Sequence, residues 1–193
     1  MKTAQLQRIH VIGIPGSGKS TLASRCAAEL GVPSVDLDYL PLHEDASGIE
    51  LQGPELYDVS KAAATALARH DRWVTEGVYC GWTAPLLERA ELIIWLDLPP
   101  VVAVGRIVRR HAGRSLRREN DFPGLRLLTG FAWGVLHDAA KPAASTAQLR
   151  ADMNHNSRAT TAAHLEPFQD KVIRCRTRHD VANSTARVRA SPC

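Results

Sequence analysis

The sequence lacks most of the features that place a chain in a special class. Its four cysteines, Cys26, Cys80, Cys175 and Cys193, are far apart and show no C-x-x-C spacing. Neither a zinc site nor a disulfide framework is therefore expected. No apolar run reaches the roughly 18 residues that a membrane helix needs. Met1 to Gln7 is polar and leads straight into a strand pattern, so no secretory signal is expected. Internal repeats, low-complexity tracts, and helix-turn-helix, zinc-finger or RNA-binding signatures are all missing. Net charge is small as well, +4 over 193 residues. The expectation is one cytoplasmic domain, 1–193, with no membrane partner. Its 45% hydrophobic and 23% charged residues are ordinary for a globular chain long enough to bury a core.

What is present begins with Gly13-Ile14-Pro15-Gly16-Ser17-Gly18-Lys19-Ser20-Thr21, which fits G-x-x-x-x-G-K-[ST] without mismatch. Before it, Arg8 to Ile12 alternates polar and β-branched residues as a strand does. After it, Leu22, Ala23, Cys26, Ala27 and Leu30 recur at helical spacing until Gly31 and Pro33. Strand, glycine loop and helix together predict a phosphate cradle. Gly13, Gly16 and Gly18 let successive N–H groups turn towards phosphate oxygens, with Pro15, Ser17 and Thr21 completing the loop. Lys19 is expected on the β/γ-phosphates and the Ser20 hydroxyl on Mg²⁺. ATP and Mg²⁺ are the cofactors this implies.

Further along, Val35 to Asp38 reads as a short strand ending in an Asp-x-Asp pair. A loop follows, then a helix carrying Leu56, Val59, Ala63, Ala66 and Leu67. Trp73-Val74-Thr75 is a strand ending at Glu76-Gly77, and Trp82 to Ala90 a helix with Pro85 in its first turn. Leu92 to Asp97 is nearly all apolar, as a strand covered on both faces should be. Pro99 and Pro100 open a helix with Val101, Val104, Ile107 and Val108 on its core stripe. Ala112 to Pro123 is polar and arginine-rich and predicts a mobile loop. Leu125 to Leu136 predicts an apolar helix that serves as core or as support for that loop, Ser145 to Leu165 one weakly amphipathic helix, and Lys171 to Cys175 the last strand before a short C-terminal helix. The alternation predicts an α/β three-layer P-loop NTPase fold: about five parallel strands with helices on both faces and an arginine-rich lid at about 112–123. Ligands in such sheets bind at the carboxyl ends of the strands. That rule gathers the P-loop, Asp36, Asp38, Glu76 and Asp97.

These motifs resemble the nucleoside-monophosphate-kinase branch of P-loop proteins, and within it the adenylate-kinase-related topology-modulation (FlaR-like) group. The likeness rests on Gly13 to Thr21, Leu37-Asp38, the run Trp73 to Trp82, and Ile94-Trp95-Leu96-Asp97-Leu98-Pro99 with Arg106 and Arg110 behind it. The resemblance implies that Arg106 lies beside the nucleotide base and that Arg110 meets transferring phosphates. It also implies that Arg114, Arg117 and Arg118 ride on a closing lid. Adenylate kinase itself carries an Asp-Gly-Phe-Pro-Arg run after strand three, where this chain has Glu76-Gly77-Val78-Tyr79-Cys80. Similar shikimate-type kinases use the Asp-x-Asp after strand two on the acceptor, which makes Asp38 the expected catalytic carboxylate. Asp36 is expected to hold Mg²⁺ through water, with turn capping as its alternative. Glu76 is expected to organise Mg²⁺. Asp97, just before Pro99-Pro100, reads as a helix cap. Tyr79 and Trp82 either stack on a planar acceptor or pack in the core.

The function expected is an ATP-dependent small-molecule kinase, with Lys19, Asp38, Arg110 and Arg114 in catalysis. The alternative is a regulatory or nucleic-acid-associated P-loop protein, supported only by arginine clusters at 106–126 and 174–189. The acceptor would be a nucleotide, nucleoside or small metabolite, and nucleic acid is not expected as a partner.

Overall fold

Five short runs of β-branched and apolar residues become the strands of one parallel sheet. They are β1 (Arg8–Gly13), β2 (Ser34–Asp36), β3 (Trp73–Gly77), β4 (Leu92–Leu96) and β5 (Val172–Cys175). Their spatial order is β2-β3-β1-β4-β5. The computed structural model describes residues 6–40, 51–116, 125–154 and 156–190, without the side chains of 114–116 and 125. Ile12 lies opposite Gly77 and Trp95, Asp36 opposite Glu76, and Leu96 opposite Cys175. The carboxyl ends of all five strands therefore share one rim. Chain order reverses on either side of β1, so the loop after β1 sits at the switch point where such sheets open a crevice.

Because successive side chains alternate across a strand, each inner strand feeds two cores. Ile9 and Val11 of β1 and Leu92, Ile94 and Leu96 of β4 face helices α1 (Lys19–Leu30) and α8 (Arg178–Arg189), which contribute Leu22, Cys26, Leu30 and Val188. Ile12, Ile93 and Trp95 face the opposite layer. That layer takes Tyr57 and Ala64 from α2 (Gly53–Ala68), Leu86 and Leu87 from α3 (Ala84–Arg89), Leu149 from α6 (Thr146–Ala151) and Leu165 from α7 (Arg158–Leu165). These are the three layers the alternation predicted. Trp82 is fully buried in this second core, so of its two expected roles it takes packing.

Several sequence expectations change, among them the core stripe of the helix after β4, where Ala103 and Ile107 are buried but Val101 and Val108 are exposed. The stretch 145–165 is two helices, because Ser157 accepts from Thr160 N and caps a new one, while Asp152 turns the chain by accepting from Asn154 N. The helix after β4, α4 (Pro100–Leu116), runs past Ala112 where a loop was expected. A single Gly113 costs a helix only about 1 kcal/mol and does not end one. The rest of the expected lid, 117–123, lies outside the described residues. Finally, α5 (Leu125–Ala140) buries Val135 yet leaves Leu127, Phe131 and Trp133 exposed, so it is not a core helix. Among the described residues no helix is long and apolar enough to cross a membrane.

Buried within β1, His10 receives one bond, between Nδ1 and Thr75 Oγ1 at 2.8 Å, and Nε2 has no partner among the described residues. Burial, aided by nearby His164, pushes its pKa down to about 3. Below pH 6.5 the unfolded chain takes up a proton that the folded chain refuses, so stability falls as pH falls towards 3, by up to about 1.4 kcal/mol per pH unit. Urea unfolding from pH 7 to 4 should show this slope. A His10→Leu, Thr75→Val pair should flatten it; an unchanged acid limb in that variant would exclude His10 as its source.

Candidate functional site

The loop between β1 and α1 is shaped by where a side chain cannot go. Gly16 has φ +79°, and a Cβ there would lie 2.5 Å from Ala103 O of α4. At Gly13 a Cβ would meet Ser17 Oγ at 2.7 Å and Leu96 Cβ at 3.0 Å. The loop is thus wedged between β4 and α4, closed by Ser17 N donating to Ile14 O at 3.1 Å. Gly18 caps α1, whose first residues are Lys19 and Ser20, so the partial positive charge of the helix end points into the loop. Arg106 Nη1 donates to Ser17 O at 2.6 Å and fastens α4 to the loop.

Lys19 Nζ stands 3.4 Å from Glu76 Oε2 at the end of β3. Glu76 is 2% exposed, and its Oε2 accepts no hydrogen bond among the described residues. Ser17 Oγ is likewise buried and unpartnered. Buried polar atoms without partners are uncommon, and two of them at a glycine cradle suit a loop that closes around an anion and its cation. Among the described residues no group of three or more His, Cys, Asp or Glu could hold a metal alone. The oxygen groups available here are Ser20, Asp36 and Glu76, a sparse set that fits Mg²⁺ held mostly by phosphates and water.

Opposite the loop, β2 ends at Asp36, whose carboxylate accepts from Asp38 N at 2.9 Å and caps a single 3₁₀ turn, Leu37–Tyr39. Turn capping, the alternative reading of Asp36, is what its side chain does. That turn carries Asp38 out to the cleft, where it shares the lining with Tyr79. Burial, then the nearby Asp38 charge, holds the Tyr79 phenol far above its ordinary range, so it keeps its proton. Pro15, Gly16, Gly18, Lys19, Ser20, Thr21, Asp36, Asp38, Tyr79, Arg106 and Arg110 line one open cleft of about 670 Å³. Gly13 and Ser17 support it from behind. Arg114 falls in the last turn of α4, and its side chain, like Arg117 and Arg118, lies outside the described residues.

A second cavity, of about 420 Å³, lies behind the loop between Arg25, Arg106 and Arg178. Arg106 borders both spaces, so it reaches the side of the loop expected for a nucleotide base.

Asp97 is not a helix cap. Its carboxylate, 3% exposed, receives Arg158 at 2.6 and 2.7 Å, Arg174 Nε at 2.8 Å, and Arg176 at 3.5 Å. Arg174 also stacks 4.2 Å over Trp95. Sequence reasoning missed this cluster because its partners lie 61 and more residues away. It missed the meeting of Tyr79 and Asp38 in one cleft for the same reason, although Tyr79 stood in the quoted Trp73 to Trp82 motif. Arg174 and Arg176 face Asp97, and Arg189 pairs with Glu29 at 2.6 Å.

Comparison with known proteins agrees with this architecture. Over 109 residues the chain is 28% identical to protein YqaC of Bacillus subtilis (strain 168), covering 56% of this chain and 58% of that one. Over 40 residues it is 50% identical to a shikimate kinase of Paracidovorax citrulli (strain AAC00-1), 21% of each chain. The chain thus spans little more than half, and about one fifth, of the lengths of these relatives. A crystal structure of a protein from Eubacterium ventriosum ATCC 27560 superposes with a TM-score of 0.51 at 13% identity, over 94% of this chain and 96% of that one, and shares the fold. Residues 9–122 match the family model described as the AAA domain, and the chain belongs to that family of P-loop proteins.

Proposed function

We propose that this protein is a cytoplasmic Mg²⁺- and ATP-dependent kinase that moves the γ-phosphoryl group of ATP to a small molecule. The observation that carries the proposal is the single cleft shared by Lys19 and Ser20 on one wall and Asp38 and Tyr79 on the other. A switch that merely binds nucleotide has no use for a carboxylate facing its P-loop across such a cleft. The 40-residue likeness to a shikimate kinase supports the same reading.

In this reading the base lies in the cavity between Arg25, Arg106 and Arg178, and the triphosphate crosses the loop. Loop N–H groups and Lys19 take the β- and γ-phosphates, while Ser20, with Asp36 and Glu76 through water, holds Mg²⁺. Bound there, the cation neutralises charge on the phosphates during transfer. Asp38 accepts the proton of the acceptor hydroxyl as its oxygen bonds to Pγ and the bond from Pγ to the β-γ bridging oxygen breaks, releasing ADP. Arg110, one helical turn beyond Arg106, meets the charge on the transferring group.

The test is incubation with Mg²⁺ and γ-labelled ATP against nucleoside monophosphates, nucleosides and hydroxylated metabolites, with Asp38→Ala alongside. Labelled product that depends on one acceptor, reduced about a hundred-fold or more in the variant, is the expected result. Slow phosphate release untouched by every acceptor and by the substitution would instead identify a nucleotide switch.

A further inference from the structure

Beside the cleft lies a groove of about 690 Å³ that shares Pro15, Val78 and Phe131 with it. It runs from those residues along α5, past Gly130 and Gly134 to Val135, with Ile14 beneath. Its size suits a small ligand. Its walls are mostly apolar; Arg126, Asp138, Asn154 and Asn156 are its polar lining, and of these Asp138 and Asn156 are already engaged. Asn156 Oδ1 accepts from Cys80 N at 3.2 Å and its Nδ2 donates to Met153 O at 2.8 Å. Asp138 is paired with Lys141 at 2.6 Å.

Gly130 and Gly134 strengthen the point. Glycine disfavours a helix interior, and here no packing demands it: a Cβ at either position would meet nothing within 4 Å. Spaced four apart, they fall on one face of α5, and what they leave open is the groove.

We infer that the phosphate acceptor carries its hydroxyl on a largely apolar, ring-containing body that lies in this groove, with Phe131 and Val78 against the ring and Gly130 and Gly134 making room for it. An open-chain polyol would trade hydrogen bonds to water for mostly apolar walls, and the site would discriminate against it. The inference rests on the kinase reading above, because the groove matters as the continuation of the cleft in which transfer would occur.

The experiment separates binding from transfer. With the nucleotide site filled by Mg²⁺ and a non-hydrolysable ATP analogue, 4-hydroxybenzyl alcohol and thymidine are titrated calorimetrically against gluconate and glycerol. The same four are then offered as acceptors with labelled ATP. Ring compounds should bind at least ten-fold more tightly than the polyols. Gly134→Leu should weaken them ten-fold or more, its affinity for the ATP analogue serving as the check that the variant is folded. The milder Gly130→Ala, Gly134→Ala pair should raise Tm while weakening ring-compound binding several-fold, opposite signs that a purely structural role for these glycines does not produce. Ring compounds that bind in the groove without being phosphorylated would support the groove and sink the kinase reading. Preferential binding or phosphorylation of gluconate or glycerol, no binding by any of the four, or ring binding indifferent to both glycine variants would overturn the inference.

Discussion

Lys19→Ala is expected, on the proposed mechanism, to lower phosphoryl transfer about a thousand-fold, since it removes the residue assigned to the charge developing on the β- and γ-phosphates. The same substitution should also destabilise the protein, for a reason specific to this site. Lys19 Nζ is the cation beside Glu76, a carboxylate 2% exposed, and its loss leaves a buried charge without its counter-charge. Breaking a buried pair from one side costs on the order of 3 kcal/mol. Two measurements tell these effects apart. Urea unfolding of Lys19→Ala should show the loss, and Lys19→Ala with Glu76→Gln should recover most of it, because a neutral amide no longer needs a counter-charge. Transfer should stay lost in both. A double variant that regains turnover would place the catalytic cation elsewhere; a single variant as stable as the parent would mean that water already screens Glu76.

The parts of this site that were legible in the sequence are those built from neighbouring residues. The P-loop was readable because Gly13, Gly16, Gly18, Lys19 and Ser20 must sit at fixed spacing to turn the backbone and present its N–H groups. The sheet was readable because β1 and β4 carry apolar residues for two faces at once. Glu76 and Asp38 could be named from the rule that ligands gather at strand ends, before any distance was known. The missed features depend on residues brought together only by folding. The Asp97 cluster and the meeting of Tyr79 and Asp38 in one cleft are of this kind. So is the groove, for an exposed apolar helix and a buried one share the same periodicity. The reading of α5 as core failed there: Phe131 and Leu127 line open space where packing was expected.

Asp97→Asn is the second substitution with a large expected effect, and it acts on the frame beneath the site. Asp97 N donates to Cys175 O at 2.9 Å, joining the end of β4 to β5. Its carboxylate then gathers Arg158 from α7 and Arg174 from β5. It also lines, with Gly13, Ile14 and Arg158, a small hollow under the start of the P-loop. An asparagine keeps one acceptor but turns an N–H₂ towards a guanidinium and leaves two positive side chains without their counter-charge. Each charge-assisted bond is worth about 1.5–3 kcal/mol, discounted here because the arginines are 39–59% exposed and can turn to water. A net loss of about 3 kcal/mol is therefore expected, which for a chain of this length lowers Tm by roughly 6–12 °C. Arg176→Gln provides the contrast. At 3.5 Å and 59% exposed, that pair should contribute no more than about 0.5 kcal/mol. If Asp97→Asn and Arg176→Gln melted alike, the cluster would be a screened surface arrangement. If only the first melts early, and binds nucleotide more weakly at temperatures where it is still folded, then Asp97 holds the floor on which the P-loop rests.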